Sequence, residues 1–481
     1  MKTLILITLI LLLFAKHIIS QTISPVKLTE NLKFIGSVDL KGRLPGTEGY
    51  DIAADFCIQK FKEYGIKNFR VLNNYKQFFK LENNRIIGPC EFNIIHAERG
   101  FLKLKHGTAY TLRGFTGSAT GTFDVVFCGY GISTDNYDDY KNVNVKNKAV
   151  IIYKANPQFE NVSVEPFSIR NRIKTAVEKG AAAVIFVNTP TSKNSHPIGS
   201  VMDGKGEHFP NIPAIEIDHQ TAELFFDDSG TSFADSYKAI IEQRAPNSIE
   251  LKSKAIIDIK AIYNSAVDVY NIIGFIEGRD ASKKDEFILL TAHLDHVGSQ
   301  CEVVFPGAND NASGSAAILE LARYFSEYKP EHSIIFALLT AEESGLQGAE
   351  FLATNLPVSS NKIIAALNFD CIASGDSLQL GNGLTNPELF KLAKSLDKNN
   401  LVIKDTWSNG GADLTPFVKL GIPGLYFVTK YSYTNLHLQT DTFENCNLDL
   451  FERVIMLAAE LIKNIDKGKY ERENILKTET E

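Results

Sequence analysis

The hydrophobic pattern divides the chain into stretches of different texture. Between residues 27 and 64 apolar positions recur mainly at helical spacing. Ile52, Ala53, Phe56, Ile58 and Phe61 predict one helix over 48–65, with Gly65 as its stop. Beta-like segments follow at 68–79 and from Ile94 onward. Runs at 122–126, Ala149–Tyr153 and 211–217 read as strands, the last with its proline near the start, where a strand tolerates one. Residues 171–179 read as a short helix that leads through Gly180 into the apolar run 181–187. From about residue 262 the pattern becomes regular. Strand-length runs at 269–276, 287–292, Ser333–Leu339, Ile363–Phe369 and Gly424–Thr429 alternate with helical periods at Ser313–Tyr328, 345–352, Pro387–Leu396, 412–420 and 448–465. Such alternation predicts an α/β sheet with parallel strands and helices on both faces.

Residues 1–20 have a different character. Lys2 precedes an apolar run from Leu4 to Ala15, and small Ser20 stands before Gln21, the layout of a secretory signal peptide. The run is short for a membrane span of about 20 residues, which favours cleavage over an uncleaved anchor. A secreted or periplasmic protein with no stable membrane insertion after cleavage is expected. Its six cysteines are widely spaced, with no C-x-x-C pair, and their even number permits disulfides without fixing a pairing. Asn161-Val-Ser163 is an N-glycosylation sequon. After Lys467 the chain is charged and lacks apolar periodicity, so a disordered tail is expected.

Composition narrows the partners. The 481 residues are enough for two or three domains, and 44% hydrophobic with 22% charged is ordinary for a globular protein. Fifty basic and 57 acidic residues are intermingled, for a net charge of −7, and no basic stripe marks a nucleic-acid surface.

The chemistry gathers at strand ends. The run 287–292 stops at His293, Ser333–Leu339 is followed by Glu342 and Glu343, and Ile363–Phe369 ends at Asp370. In open α/β sheets ligands collect at the carboxyl ends of strands, so these groups converge on one rim. Asp310 and His437 join them from other loops. Imidazoles and carboxylates with no thiolate suit zinc, with cobalt and manganese as alternatives. Two histidines and three carboxylates exceed the three protein ligands of one catalytic zinc. A pair of metals roughly 3.5–4 Å apart, bridged by one carboxylate, fits better; such a pair activates water and polarises a carbonyl. Glu342 and Glu343 diverge in extended chain. One can bind metal while the other takes the proton of water and returns it to a leaving amine. Taken alone, the pair also reads as an exposed acidic loop. His196, His208 and His219 show no ligand spacing and read as ordinary surface or core histidines.

Five motifs carry a resemblance. AHLDHVG (292–298), GANDNASG (307–314), AEESGLQGA (341–349), NFD (368–370) and HLQTDT (437–442) closely resemble the M28 family of zinc metallopeptidases. GRLPGTEGYDIAA (42–54), otherwise readable as a turn-rich connection, resembles the family's N-terminal segment. GTFDVVFCGYGI (121–132), KNKAVIIY (146–153) and NIPAIEID (211–218) resemble a protease-associated (PA) domain. The resemblance implies a mostly parallel mixed sheet flanked by helices, of zinc-peptidase, phosphorylase/hydrolase-like type, split around an inserted mixed α/β domain. The expected layout is signal peptide 1–20, first part of the peptidase domain 21–110, PA domain 111–255, main metallopeptidase domain 256–467 and tail 468–481.

Carried over by position, the resemblance implies two zinc ions: His293, Asp310 and Asp370 on one, and Asp310, Glu343 and His437 on the other. Glu342 matches the general base, Asp295 the carboxylate that orients His293, and Asp441 a family Asp with a loop-stabilising or catalytic role. His296 is set aside, because the five-ligand set closes without it. Many members have Tyr immediately before the last histidine, where it helps stabilise the oxyanion; here Leu436 stands there, and Tyr433 or a backbone donor is left as substitute. Asp413 keeps one residue of a stretch that often reads Ser-Asp-His, and is a candidate neighbour of the substrate amine. The implied activity is that of an exopeptidase acting on peptides, an aminopeptidase first. A carboxypeptidase or dipeptidase is the alternative, and a metal-free receptor-like protein a further one. Preferred side chain, natural substrate and oligomeric state are not legible.

Overall fold

The main sheet has 14 strands; besides the short Lys67–Asn68 and Gly100–Lys103 they are, in chain order, β1 (Lys76–His96), β2 (Tyr110–Leu112), β3 (Ala119–Phe127), β4 (Ala149–Tyr153), β5 (Ala183–Val187), β6 (Ala214–Ile217), β7 (Ile249–Ile276), β8 (Phe287–His293), β9 (Ser333–Leu339), β10 (Ile363–Phe369), β11 (Leu378–Gly381) and β12 (Gly424–Thr429). They come from a computed structural model that describes residues 22–474 except 160, 161, 163–168, 203 and 205. The expected signal peptide, the ends of the Asn161 sequon and the last seven residues of the tail lie outside the described residues.

The regular half of the pattern builds the expected sheet. Strands β8, β9, β10 and β12 are parallel neighbours in the order β12-β10-β8-β9, with β11 antiparallel at one side and β7 antiparallel at the other. Every residue of β9 is buried, as a strand covered on both faces requires. Successive side chains serve opposite faces. Ile288, Leu290, Ile334 and Phe336 pack with Leu28, Leu32, Phe61, Leu319, Phe325, Phe451 and Ile455, which lie on the helices Pro25–Ile35, Glu48–Glu63, Ser313–Tyr328 and Leu448–Asp466. Leu289, Ile335 and Ala337 pack on the other face with Leu352 of Gln347–Thr354 and Phe417 of Thr415–Lys419. Burying each large side chain contributes about 1.5–3 kcal/mol, so this two-sided core fixes where the strand ends stand.

A second core lies over β3–β6, where β3, β4, β5 and β6 run parallel and β2 pairs antiparallel with β6. The helices His219–Phe226 and Phe233–Gln243 cover it. The two cores share one sheet. Strand β7 pairs with β1 from Lys76↔Ile272 to Ile95↔Lys254, with β9 at one end and with β3 at the other. The expected boundary between 255 and 256 therefore falls inside one continuous strand of 28 residues. The periodicity at 269–276 exposes only its end, because several residues in the stretch before it are solvent-facing. Gly88-Pro89 hides the continuity of β1 in the same way, at a register shift between Ile86 and Cys90 where proline has no N–H to pair. A disulfide joins Cys90 of β1 to Cys301 in the loop after β8, while Cys57, Cys128, Cys371 and Cys446 are free.

Candidate metal centre

Three neighbouring strand ends and two loops deliver the site. His293 closes β8. After β9 the chain turns at Ala341, whose φ is 58°, and presents Glu342 and Glu343. Asp370 follows β10. Asp310 stands between Asn309 and Asn311, and both asparagines are fasteners. Asn309 accepts from the Ala373 amide at 2.8 Å and donates to the Ser432 carbonyl. Asn311 donates to the Phe369 carbonyl at 2.8 Å and accepts from the Gly314 and Cys371 amides. Between them they tie the Asp310 segment to the chain around Asp370.

The donor atoms then meet. His293 Nε2 lies 3.3 Å from Asp310 Oδ1 and 3.4 Å from Asp370 Oδ1. His437 Nε2 lies 3.3 Å from Asp310 Oδ2 and 2.9 Å from Glu343 Oε2. Asp310 thus gives one oxygen to each imidazole. Ligands at about 2.0 Å from a tetrahedral zinc stand roughly 3.3 Å apart, so both groups have the spacing of a shared cation. His293 Nε2 and Asp370 Oδ1 are also buried without a hydrogen-bond partner, which such an ion would supply. The residues present therefore fit metal ions, and among the described residues these two groups, together with His296, are the sets of metal-capable side chains close enough to hold one.

Sequence reasoning missed the contact of His296. Its ring is buried, with Nδ1 2.7 Å from Glu343 Oε1 and 3.7 Å from Asp310 Oδ2. The signal was its place three residues after His293; with five other ligands in view, nothing in the sequence distinguished a ligand's partner from a bystander. Asp441 also takes a definite place. Its carboxylate accepts from the Asn309 amide at 2.8 Å and the Asp310 amide at 3.0 Å, and its carbonyl from the Ala308 amide. It is a loop fastener that reaches from the His437 segment to the backbone of Asp310.

Asp295 sits beneath His293. His293 Nδ1 is 3.1 Å from the Asp295 carbonyl and 3.7 Å from its carboxylate, which also receives the Glu342 amide at 3.3 Å. Glu342 is partly exposed and belongs to neither ligand group. Asp413 is fully buried, with both oxygens unpartnered. Tyr426 donates to Asp370 Oδ2 at 3.3 Å, and its hydroxyl is 3.2 Å from that of the half-exposed Tyr433. Leu436, next to His437, packs instead into the apolar cluster around Tyr426 and Trp407.

Electrostatics separate the carboxylates. Burial raises the pKa of Glu342 well above the ordinary range, with Glu343, Asp413 and Asp370 adding to it against the pull of His293. Burial also lifts Asp413 to about 8 and Asp441 to about 6. For Glu343 the same desolvation is outweighed by His437 and His296, and its pKa falls to about 2. The pKa values of the adjacent glutamates are thus shifted in opposite directions by their surroundings.

A mixed α/β sheet with imidazoles and carboxylates packed at its strand ends defines a candidate metal centre on an α/β fold. Residues 271–462 match Peptidase family M28, and residues 121–225 match the PA domain. The chain is thus similar to peptidase family M28 over the region that carries the candidate ligands, and to the PA domain over β3–β6. It is 32% identical over 161 residues to a "Probable zinc metalloprotease" of Pyrenophora tritici-repentis, covering 32% of this chain and 36% of that one. It is 31% identical to "Leucine aminopeptidase 2" of Trichophyton equinum, covering 41% of each chain. The matches thus span between a third and about two fifths of these relatives' lengths. The fold is similar to that of an aminopeptidase from Aneurinibacillus sp. strain AM-1, with a TM-score of 0.65, 19% identity and coverage of 95% of this chain and 97% of that one.

Proposed function

We propose that the protein is an exported exopeptidase that holds two zinc ions and removes N-terminal residues from peptides. One observation carries the proposal: Asp310 offers an oxygen to each of two imidazole–carboxylate groups, beside a glutamate that belongs to neither. His293, Asp310 and Asp370 would hold one ion, and Asp310, Glu343 and His437 the other. Ions bound there would polarise the scissile carbonyl and bring the pKa of water toward neutrality.

The rest of the chemistry belongs to the chain. Glu342, which belongs to neither ligand group, takes the proton of the attacking water and delivers it to the leaving amine. Asp295 steadies both the His293 ring and the Glu342 backbone. The Tyr433 hydroxyl, next to that of Tyr426, donates to the oxygen that gains charge, a part Leu436 has no group to play. Carboxylates around the cleft suit a free α-amine better than a free carboxylate, and relatives named as aminopeptidases support the same choice. The Cys90–Cys301 disulfide supports an oxidising compartment.

The test is zinc analysis of purified protein alongside hydrolysis of aminoacyl-arylamides and N-blocked peptides. About two zinc ions per chain and turnover confined to free N-termini are expected. Equal turnover of N-blocked substrates would overturn the aminopeptidase assignment, and release of C-terminal residues would favour the carboxypeptidase alternative.

A further inference from the structure

Arg43 has no part in the chemistry above, yet it is fully buried beside the site. Lys41, Gly42 and Arg43 all have φ between 50° and 67°, a left-handed turn that drives the Arg43 side chain inward. Its guanidinium faces main-chain carbonyls. Nε donates to the Leu294 carbonyl at 2.7 Å, Nη1 to those of Ile35 at 2.8 Å and Pro306 at 2.6 Å, and Nη2 to that of Gly307 at 2.9 Å.

The positions of these carbonyls matter. Leu294 follows His293 directly, and Gly307 stands three residues before Asp310. One planar fork, with its donors in fixed directions, therefore grips both ends of the loop that connects two of the candidate ligands. The backbone reinforces it: the Gly298 amide donates to the Gly42 carbonyl at 3.0 Å. A Cβ at Gly42 would stand 2.3 Å from the carbonyl oxygens of Gly298 and Phe305, so the two segments are in close contact.

We propose that Arg43 is a positioning residue for the metal centre, setting the separation of His293 and Asp310 before any ion arrives. The proposal rests on the two-metal reading, and it makes a prediction of definite sign. A buried cation beside a cation site repels the ion. If charge were its whole effect, removing it would tighten metal binding. If Arg43 acts as a fork, removing it loosens the ligands and weakens binding.

The experiment is a titration of the full-length metal-free protein with zinc against a chromophoric chelator, for wild type, Arg43→Met and Arg43→Lys. It is run well below each unfolding midpoint. Arg43→Met is expected to lose at least about 10-fold in zinc affinity, in the range seen when partners that orient ligands are removed. Arg43→Lys keeps the charge but donates from a single nitrogen, and is expected to recover little. Unchanged or tighter zinc binding in Arg43→Met, with only a lower unfolding midpoint, would overturn the proposal and leave Arg43 a core residue. Hydrogen exchange of the wild type decides the matter if the variants fold poorly. The Gly298 and Phe305 amides should be protected alike with and without zinc, and protection that arises only on adding zinc would overturn the clamp. A wild type that binds no zinc would sink the two-metal reading instead, and the exchange of the metal-free chain would still decide the clamp.

Discussion

Asp441→Asn isolates the fastening of Asp310 from its chemistry. The carboxylate is 3% exposed and accepts one amide on each oxygen, from Asn309 at 2.8 Å and from Asp310 at 3.0 Å. Asparagine has nearly the same shape but one acceptor. Whichever way the amide sits, its NH2 faces a backbone N–H. One hydrogen bond to a charged group is lost, about 1.5–3 kcal/mol, and a buried donor is left unpaired, so a destabilisation of about 2–4 kcal/mol is expected. The displaced backbone is that of the residue shared by both ligand groups, so zinc affinity should fall by about 10–100-fold. Asp441→Ala removes both acceptors and should be worse on each count. Denaturant unfolding of the metal-free protein reads the first quantity, and competition with a chromophoric chelator the second. Zinc affinity within twofold of wild type in both variants would refute the reasoning, because Asp310 would then be held without Asp441.

Other perturbations separate the remaining parts. Glu342→Gln should bind zinc normally and lose about 10²–10⁴-fold in kcat; full activity would reject the base assignment. Tyr433→Phe should lower kcat about 10²–10³-fold with zinc content unchanged, the range for one oxyanion donor, and an unaffected kcat would leave that donor to the backbone. Cys301→Ser opens a disulfide that closes a separation of 211 residues, and should cost about 2–4 kcal/mol in denaturant unfolding; no loss would mean the loop is held by packing alone. Asp139, buried in the second core, accepts the Tyr130 and Ile132 amides. Burial raises its pKa from 3.8 to about 7. The unfolded chain therefore ionises first as pH rises from about 4 to 7, and folding stability falls across that window by up to about 4 kcal/mol. Asp139→Asn should flatten that slope between about pH 4 and pH 7 in thermal unfolding, and identical slopes would reject the shift.

What the sequence made legible has a common cause. The pattern of β8, β9, β10 and β12 is read correctly because both faces of each strand are buried, so apolar character is continuous and stops where the rim begins. The rim residues follow from the same break. Strand β7 was less legible: its exposed middle carries no single period, and only the pairing with β1 and β3 makes it continuous. The helices His219–Phe226 and Phe233–Gln243 are short, so their apolar period is weak beside the stronger strand runs. The Cys90–Cys301 pairing depends on a contact between residues 211 positions apart, which spacing cannot reveal.

The residues that hold the ligands are less legible than the ligands for a further reason. A metal ligand is limited to a few side-chain types, so strand ends carrying them stand out. A fastener works through backbone groups that every residue has, and its own type says little about its target. Asn309 and Asn311 look like turn residues, Arg43 like part of a surface loop, and Gly199 like a spacer. In the structure the Gly199 amide donates to the His437 carbonyl at 2.8 Å, and Gln439 reaches back to the Gly107 carbonyl at 2.9 Å. Gln300 pairs with both main-chain groups of Leu112, and Val201 packs with Val297, Val303 and Phe305. The segments that carry His296 and His437 are therefore each bonded to the part of the chain that precedes β7. Removing that part would not simply uncover the cleft. It would also release the backbone on which the ligands stand, so a loss of activity after its deletion would not by itself show that it governs access.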